Sequence, residues 1–152
     1  MKRRRRRATR FSTALRVRMR DAKRVSAAQV KRLFREAGWT EDIVRYSPKQ
    51  VQKLLCCSHL VRTAWDDKKL VGFVSAVSDG VLCGLVQNLV VHPKYRQRGL
   101  GTRLLRELSR AMARQGVSCL YALGARSPGA RAFFGRVGFR PLNWNVFLRL
   151  HR

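Results

Sequence analysis

The sequence predicts an α/β domain built on one mixed sheet, and three observations carry that prediction. Residues 61–91 hold three apolar runs separated by turn-forming residues, the pattern of an antiparallel meander. Elsewhere apolar residues recur at helical spacing in four stretches, each bounded by serine, proline or glycine. At residues 90–105 an apolar run stops at Pro93, a basic loop follows, and Gly99-Leu100-Gly101 opens a helical pattern. The size agrees: 152 residues, 45% hydrophobic and 28% charged, suit one globular domain with a single sizeable core.

Charge is the abnormal feature. Against 34 Lys+Arg stand 8 Asp+Glu, a formal +26, a field that attracts nucleic acid, anionic membrane or polyanionic small molecules without choosing among them. Residues 1–10 are nearly all arginine and lysine, and like charges at that density repel. A disordered basic arm is therefore expected over 1–13, with the folded domain at 14–152. The arm lacks the apolar core of a secretory signal and is short for a transit peptide. It reads equally as a binder of RNA, ribosome or anionic surface and as a solvated tail.

The elements follow in order. Residues 14–19 alternate apolar and basic side chains, a half-buried first strand. Ser26 caps a helix that sets Val30, Leu33, Phe34 and Ala37 on one face, and Gly38 stops it. A loop with Trp39, Glu41 and Asp42 leads to Ser47-Pro48, which starts a second helix around Val51, Leu54 and Leu55. Strands at 61–65, 70–77 and 82–91 turn at 66–69 and at Asp79-Gly80. The long helix begins near Gly99, buries Leu100, Leu104, Leu105 and Leu108, and closes at Gly116. Its outer face carries Arg103, Arg106, Arg110 and Arg114, either a solvated face or an extension of a nucleic-acid footprint. A short strand at 118–123, a helix from Ser127-Pro128 to Gly138, and a strand pair at 139–142 and 146–150 complete the chain. The expected order is β1-α1-α2-β2-β3-β4-α3-β5-α4-β6-β7.

A strand that feeds a glycine-bearing loop into a helix N-terminus is an anion site, because free N–H groups converge there and the helix dipole adds partial positive charge. The dinucleotide fingerprint fails, since Leu104 stands where its third glycine belongs. A Walker loop fails too, since Gly101-Thr102 lacks the lysine. What fits is Arg-x-x-Gly-x-Gly, Arg96 to Gly101. Cys56, Cys57, Cys83 and Cys119 show no metal-ligand spacing and read as reduced thiols of an intracellular protein, so no metal is expected. No apolar run is long enough to span a bilayer as a helix.

The Arg96–Gly101 spacing resembles the acetyl-CoA pyrophosphate loop of the GNAT N-acetyltransferase superfamily. The element order resembles that family too, as do Leu70-Val71-Gly72-Phe73, Val77-Ser78-Asp79-Gly80 and the segment from Ala132 to Phe139, which is similar to the family's closing signature. The Ser-Asp-Gly turn and short final hairpin most resemble the small plastid and cyanobacterial branch that includes plant serotonin N-acetyltransferases. The resemblance implies an acetyl-CoA-dependent N-acetyltransferase that moves acetyl to a primary amine, an arylalkylamine or a protein amine, by direct attack on the thioester. It implies a coenzyme pyrophosphate on Arg96, Gln97, Arg98, Gly99, Leu100, Gly101 and Thr102, a pantetheine paired along Leu89, Val90 and Val91, an oxyanion donor at the Leu89 or Val90 amide, and further contacts at Ser127 and Phe134.

Two departures accompany it. Asn88, beside Gln87, stands where the resemblance implies a carboxylate base, and Phe134 where it implies a tyrosine acid; neither side chain can do that work. Asp79, Tyr121, Glu41, Asp42 and His92 are the remaining candidates, with His92 expected to point outward beside the loop. Trp39, Phe134 and Trp144 are candidate walls of an aromatic acceptor site. Alternatives to the enzyme are an acetyl-CoA-binding regulator without turnover and a basic RNA- or ribosome-associated module. The expected setting is the cytoplasm, with a plastid as the alternative, and the chain as monomer or dimer.

Overall fold

The computed structural model describes residues 17–21, 25–123 and 128–142. Its elements are β1 (Val17–Asp21), α1 (Ala27–Glu36), α2 (Pro48–Cys57), β2 (Leu60–Asp66), β3 (Lys69–Ser78), β4 (Cys83–Val91), α3 (Leu100–Arg114), β5 (Cys119–Ala122) and α4 (Pro128–Arg136), with single 3-10 turns at Ile43–Arg45 and Pro93–Tyr95. The sheet order is β1-β2-β3-β4-β5, antiparallel up to β4, with β5 parallel to β4. This matches the expected α/β class and element order through α4. Of the expected final pair, 139–142 carries no strand, and 146–150, like Trp144, Ser127 and the arm 1–13, lies outside the described residues.

Local chemistry sets the helix ends. Ser26 Oγ accepts from Gln29 N–H while Gln29 returns a bond to Ser26 N–H, and Ser47 and Gln50 repeat this reciprocal box. Each box satisfies two donors that a helix start leaves open. Gly38, Gly116 and Gly138 follow their helices at φ of 86°, 87° and 94°, the left-handed stop that favours glycine.

Two apolar layers flank the sheet. On one face α1 and α2 pack Val30, Leu33, Phe34, Val51 and Leu55 against Trp65, Leu70, Phe73 and Val90. On the other, Leu104, Leu105, Leu108 and Met112 of α3 cover Val71, Val74, Ala76 and Val86. Each buried leucine stabilises the fold by about 1.5–3 kcal/mol. Two glycines let α3 lie close. A Cβ on Gly72 would stand 2.8 Å from Leu104 Cδ1, and one on Gly84 would stand 2.5 Å from Met112 Cε. No helix among the described residues is long and apolar enough to cross a membrane.

Candidate functional site

The site is built on β4. This strand pairs with β3 up to Val91 but with β5 only from Cys83 to Val86. Beyond Val86 the β5-facing edge of β4 has no strand partner among the described residues. Within that open stretch the ladder slips: Gln87 opposes Ser75 and Val90 opposes Phe73, so Asn88 and Leu89 share one partner, Val74. Asn88 takes up the extra residue at φ 51°, in the left-handed region that asparagine enters more readily than most residues.

Strand alternation then fixes where the main chain points. His92 N–H donates to Val71 O at 2.9 Å, toward β3. Val90 shares that direction, and Leu89 and Val91 turn their N–H and C=O groups to the open edge. The Val91 carbonyl is taken there by Arg96 Nε at 3.0 Å. The other edge-facing groups of Leu89 and Val91 have no strand partner among the described residues, and an extended ligand can join them.

A backbone nest lies farther along the chain. Gln97 at φ 58° and Gly99 at φ 77° both lie in the left-handed region, and alternation of this kind gathers consecutive N–H groups on one side. Gly99 is the N-cap of α3 and has no side chain to offer. Helix geometry leaves the N–H groups of Leu100, Gly101 and Thr102 without intrahelical acceptors. Lys94, Arg96 and Arg98 are exposed around them. The donor set is the chemistry a diphosphate requires. Gly101 stands beneath the ring of Phe133, 3.5 Å from where its Cβ would be. Phe134, singled out from the sequence, instead stacks edge-on between Phe133 (5.3 Å) and Phe139 (5.5 Å) in the α3-side core.

Long-range contacts that the sequence does not announce anchor the loop. His92 is 6% exposed, which corrects the expectation that it points outward. Its Nδ1 accepts from Lys94 N–H at 3.2 Å, and its Nε2 lies 3.2 Å from both Glu36 Oε2 and Lys69 Nζ, which themselves pair at 3.1 Å. Burial first, then the Lys69 charge, hold the His92 pKa below its ordinary value, with Glu36 opposing. Burial raises the Glu36 carboxyl, but the Lys69 hydrogen bond and the Lys69, His92 and Arg32 charges outweigh it and bring it down. Tyr95 donates to Asp66 Oδ2 at 2.5 Å, and Arg96 Nη2 donates to Ala37 O at 3.1 Å. Arg96 thus clasps the end of α1 to the end of β4.

The proposed catalytic side chains are not brought together. Asp79 Oδ1 accepts from Val81, Leu82 and Cys83 N–H at 2.8–3.2 Å, and these bonds lower its pKa. It lies beside Cys83 at the opposite end of β4, about 16 Å from Asn88 at strand rise. Asn88 Nδ2 reaches Ser75 Oγ at 3.4 Å. Tyr121 pairs with Leu85, one residue before the sheet opens. A hydrogen bond to Cys119, the Cys119 charge and burial raise its pKa. Its neighbours Leu120 and Ala122 pack toward α3, so Tyr121 faces the other side. Trp39, Glu41 and Asp42, with Gly38 and Thr40, line an open cavity of about 320 Å³ after α1, and Glu41 pairs with Arg45.

A mixed sheet whose fourth strand runs on past its described pairing with the fifth, beside a glycine-capped helix entrance, defines the class: an α/β domain with backbone donors gathered at that edge. The model of the acetyltransferase (GNAT) family matches residues 27–139, and the chain belongs to that family. A GNAT-family acetyltransferase from Streptococcus pneumoniae superposes with a TM-score of 0.74 at 20% identity, covering 90% of this chain and 98% of that one. An aminoglycoside 6′-N-acetyltransferase complexed with coenzyme A superposes at 0.59 with 25% identity, over 68% of this chain and 59% of its own. A ycf52-like N-acetyltransferase from Prochlorococcus marinus is 26% identical over 115 residues, 73% of this chain and 61% of the relative. The chain therefore spans less than two thirds of that relative's length.

Proposed function

We propose that the chain is an acetyl-CoA-dependent N-acetyltransferase acting on a primary amine. The observation that carries this is the pair of main-chain donor sets at the bulged, open edge of β4 and at the left-handed loop that starts α3. Amides from Arg98 to Thr102 hold the pyrophosphate, and the Leu89–Val91 edge pairs with the pantetheine. The thioester carbonyl comes to lie beside the bulge, where the Leu89 N–H is the donor for a developing oxyanion; such preorganised donors typically supply about 2.7–4 kcal/mol.

The amine attacks the carbonyl as the neutral base, giving a tetrahedral adduct with an ammonium and an oxyanion. Collapse expels the coenzyme thiolate, and the ammonium proton leaves to solvent or to that thiolate. Asn88 and Phe134 contribute no proton transfer, and Asp79 is committed to its turn. Tyr121, paired with Leu85 near the end of the β4–β5 ladder, is the phenol assigned to the thiolate in this reading. The exposed Trp39 beside Asp42 in the cavity after α1 supports an arylalkylamine over a protein amine, since an aromatic face and a carboxylate suit an aryl group and an ammonium. The domain occupies 14–152 behind a basic arm at 1–13. Four free cysteines and the ycf52-like relative support a cytoplasmic or plastid setting.

Release of free thiol from acetyl-CoA, followed with tryptamine, a peptide N-terminus and a lysine peptide, tests this. Turnover is expected with tryptamine and rises with pH as the neutral amine accumulates. Coenzyme binding without thiol release for any amine would replace the enzyme with a coenzyme-binding regulator.

A further inference from the structure

The far end of α3 plays no part in this chemistry, yet its charge is unbalanced. Arg110 and Arg114 lie one above the other on the same stripe, about 6 Å apart along the axis. Together with Met19, Arg20, Arg62 and Glu107 they line an open cleft of about 340 Å³ between α3 and the β1–β2 edge. Glu107, the one acid among the described lining residues, is engaged by Arg103 Nε at 3.1 Å. Neither Arg110 nor Arg114 has an ion pair among the described residues. Complementing the helix dipole accounts for one cation in the last turn, Arg114. It does not account for Arg110, one turn earlier on the same stripe. Arg20 already lies over the Trp65 ring at 5.7 Å and Arg62 Nη1 donates to Val61 O at 3.2 Å, so Arg110 and Arg114 are the pair whose mutual repulsion an anion from outside relieves.

We propose that this cleft docks the phosphodiester backbone of a nucleic acid. All four basic residues lining it are arginines, whose forked donors pair with phosphate oxygens and whose planes stack on bases. The cleft is concave, and none of the exposed large apolar side chains (Trp39, Tyr46, Val77, Val81, Leu82, Leu123, Leu142) lines it. A flat anionic bilayer would meet neither the curvature nor a side chain able to insert. The cleft also lies about 14–20 Å along α3 from Gly101, so it loads independently of the coenzyme nest.

The test is fluorescence anisotropy with labelled oligouridine and oligothymidine, each of about 20 nucleotides, over a salt series. The full chain is compared with R110E/R114E and with K49E/K53E, which removes the same charge from exposed positions on α2. The cleft pair is expected to weaken binding about tenfold or more and to lower the salt slope by about two, while the α2 pair stays within about threefold. Preference for one oligomer assigns the source as RNA or DNA, and equal affinity assigns backbone recognition alone; both support the cleft. R110Q/R114Q, with the fold checked by circular dichroism, carries the test if the charge reversal does not fold. An equal loss from the α2 pair, an unchanged salt slope, or a cleft variant that loses phosphatidylserine vesicles but keeps oligouridine overturns the proposal.

Discussion

Two glycines of the proposed coenzyme loop separate stability from binding. Gly99 stands at φ 77°, and a Cβ built there meets nothing within 4 Å. The cost of Gly99→Ala is therefore conformational alone, about 1–2 kcal/mol for a non-glycine held in the left-handed region. Gly101 is helical, and its Cβ would touch Phe133 at 3.5 Å and Val91 Cγ2 at 3.6 Å, ordinary contact distances. Gly101→Ala instead gains about 0.5–1 kcal/mol from the helix preference of alanine. At about 2–4 °C per kcal/mol for a domain of this size, Gly99→Ala should lower Tm by about 2–8 °C and Gly101→Ala should raise it by about 1–4 °C. Thermal melts by circular dichroism, with and without acetyl-CoA, read both effects. Because the loop of Gly99→Ala relaxes out of the nest, its ligand-induced rise in Tm should shrink as well. If Gly99→Ala melts like the parent with the same ligand shift, the nest is not what holds the coenzyme.

Other perturbations follow from the same contacts. His92 binds its proton less readily folded than unfolded, so stability present above its ordinary pKa of about 6.5 is lost as pH falls, and the lowered Glu36 adds a loss in the same direction below about 4.5. Tm should drop from about pH 7.5 to 5.5, and His92→Asn, which can still accept from Lys94 N–H, should flatten that drop; an unaltered slope would remove His92 from the account. Gly72→Ala should cost about 1–3 kcal/mol in urea unfolding, because Leu104 is fully buried and branched. Gly84→Ala should cost less despite its shorter contact, since the end of the Met112 side chain can swing aside; the reverse order would contradict the packing described. Asp79→Ala should lower Tm by freeing three N–H groups yet keep turnover within about tenfold of the parent, whereas loss of a general base costs about 10²–10⁴.

What the sequence disclosed and what it hid divide along the range of the interactions. Ser26, Ser47, Gly38 and Gly116 act on their own neighbours, so their punctuation of the helices was legible. The Asp79-Gly80 turn was legible for the same reason, and the turn explains the carboxylate without a catalytic role. Gly99 and Gly101 announced the nest because backbone conformation is a local demand. The bulge at Asn88 was not legible, for it exists only in register with β3. His92 was misread because Glu36 and Lys69, which bury and engage it, come from α1 and the start of β3. Arg96 pointed to the coenzyme in the motif, yet its guanidinium also ties Ala37 to Val91, a contact set by the packing of α1 on the sheet. The closing motif directed attention to Phe134, whereas the ring against the loop belongs to Phe133.

The central claim is that main-chain amides, rather than charged side chains, grip the coenzyme along β4 and at the entrance to α3. Titration of the ¹⁵N-labelled protein with acetyl-CoA, followed by amide chemical shifts, tests it most directly. The account predicts saturable shifts at Leu89, Val91, Leu100, Gly101 and Thr102, with the α2 amides unmoved. Unchanged signals at those five amides under saturating acetyl-CoA would contradict it.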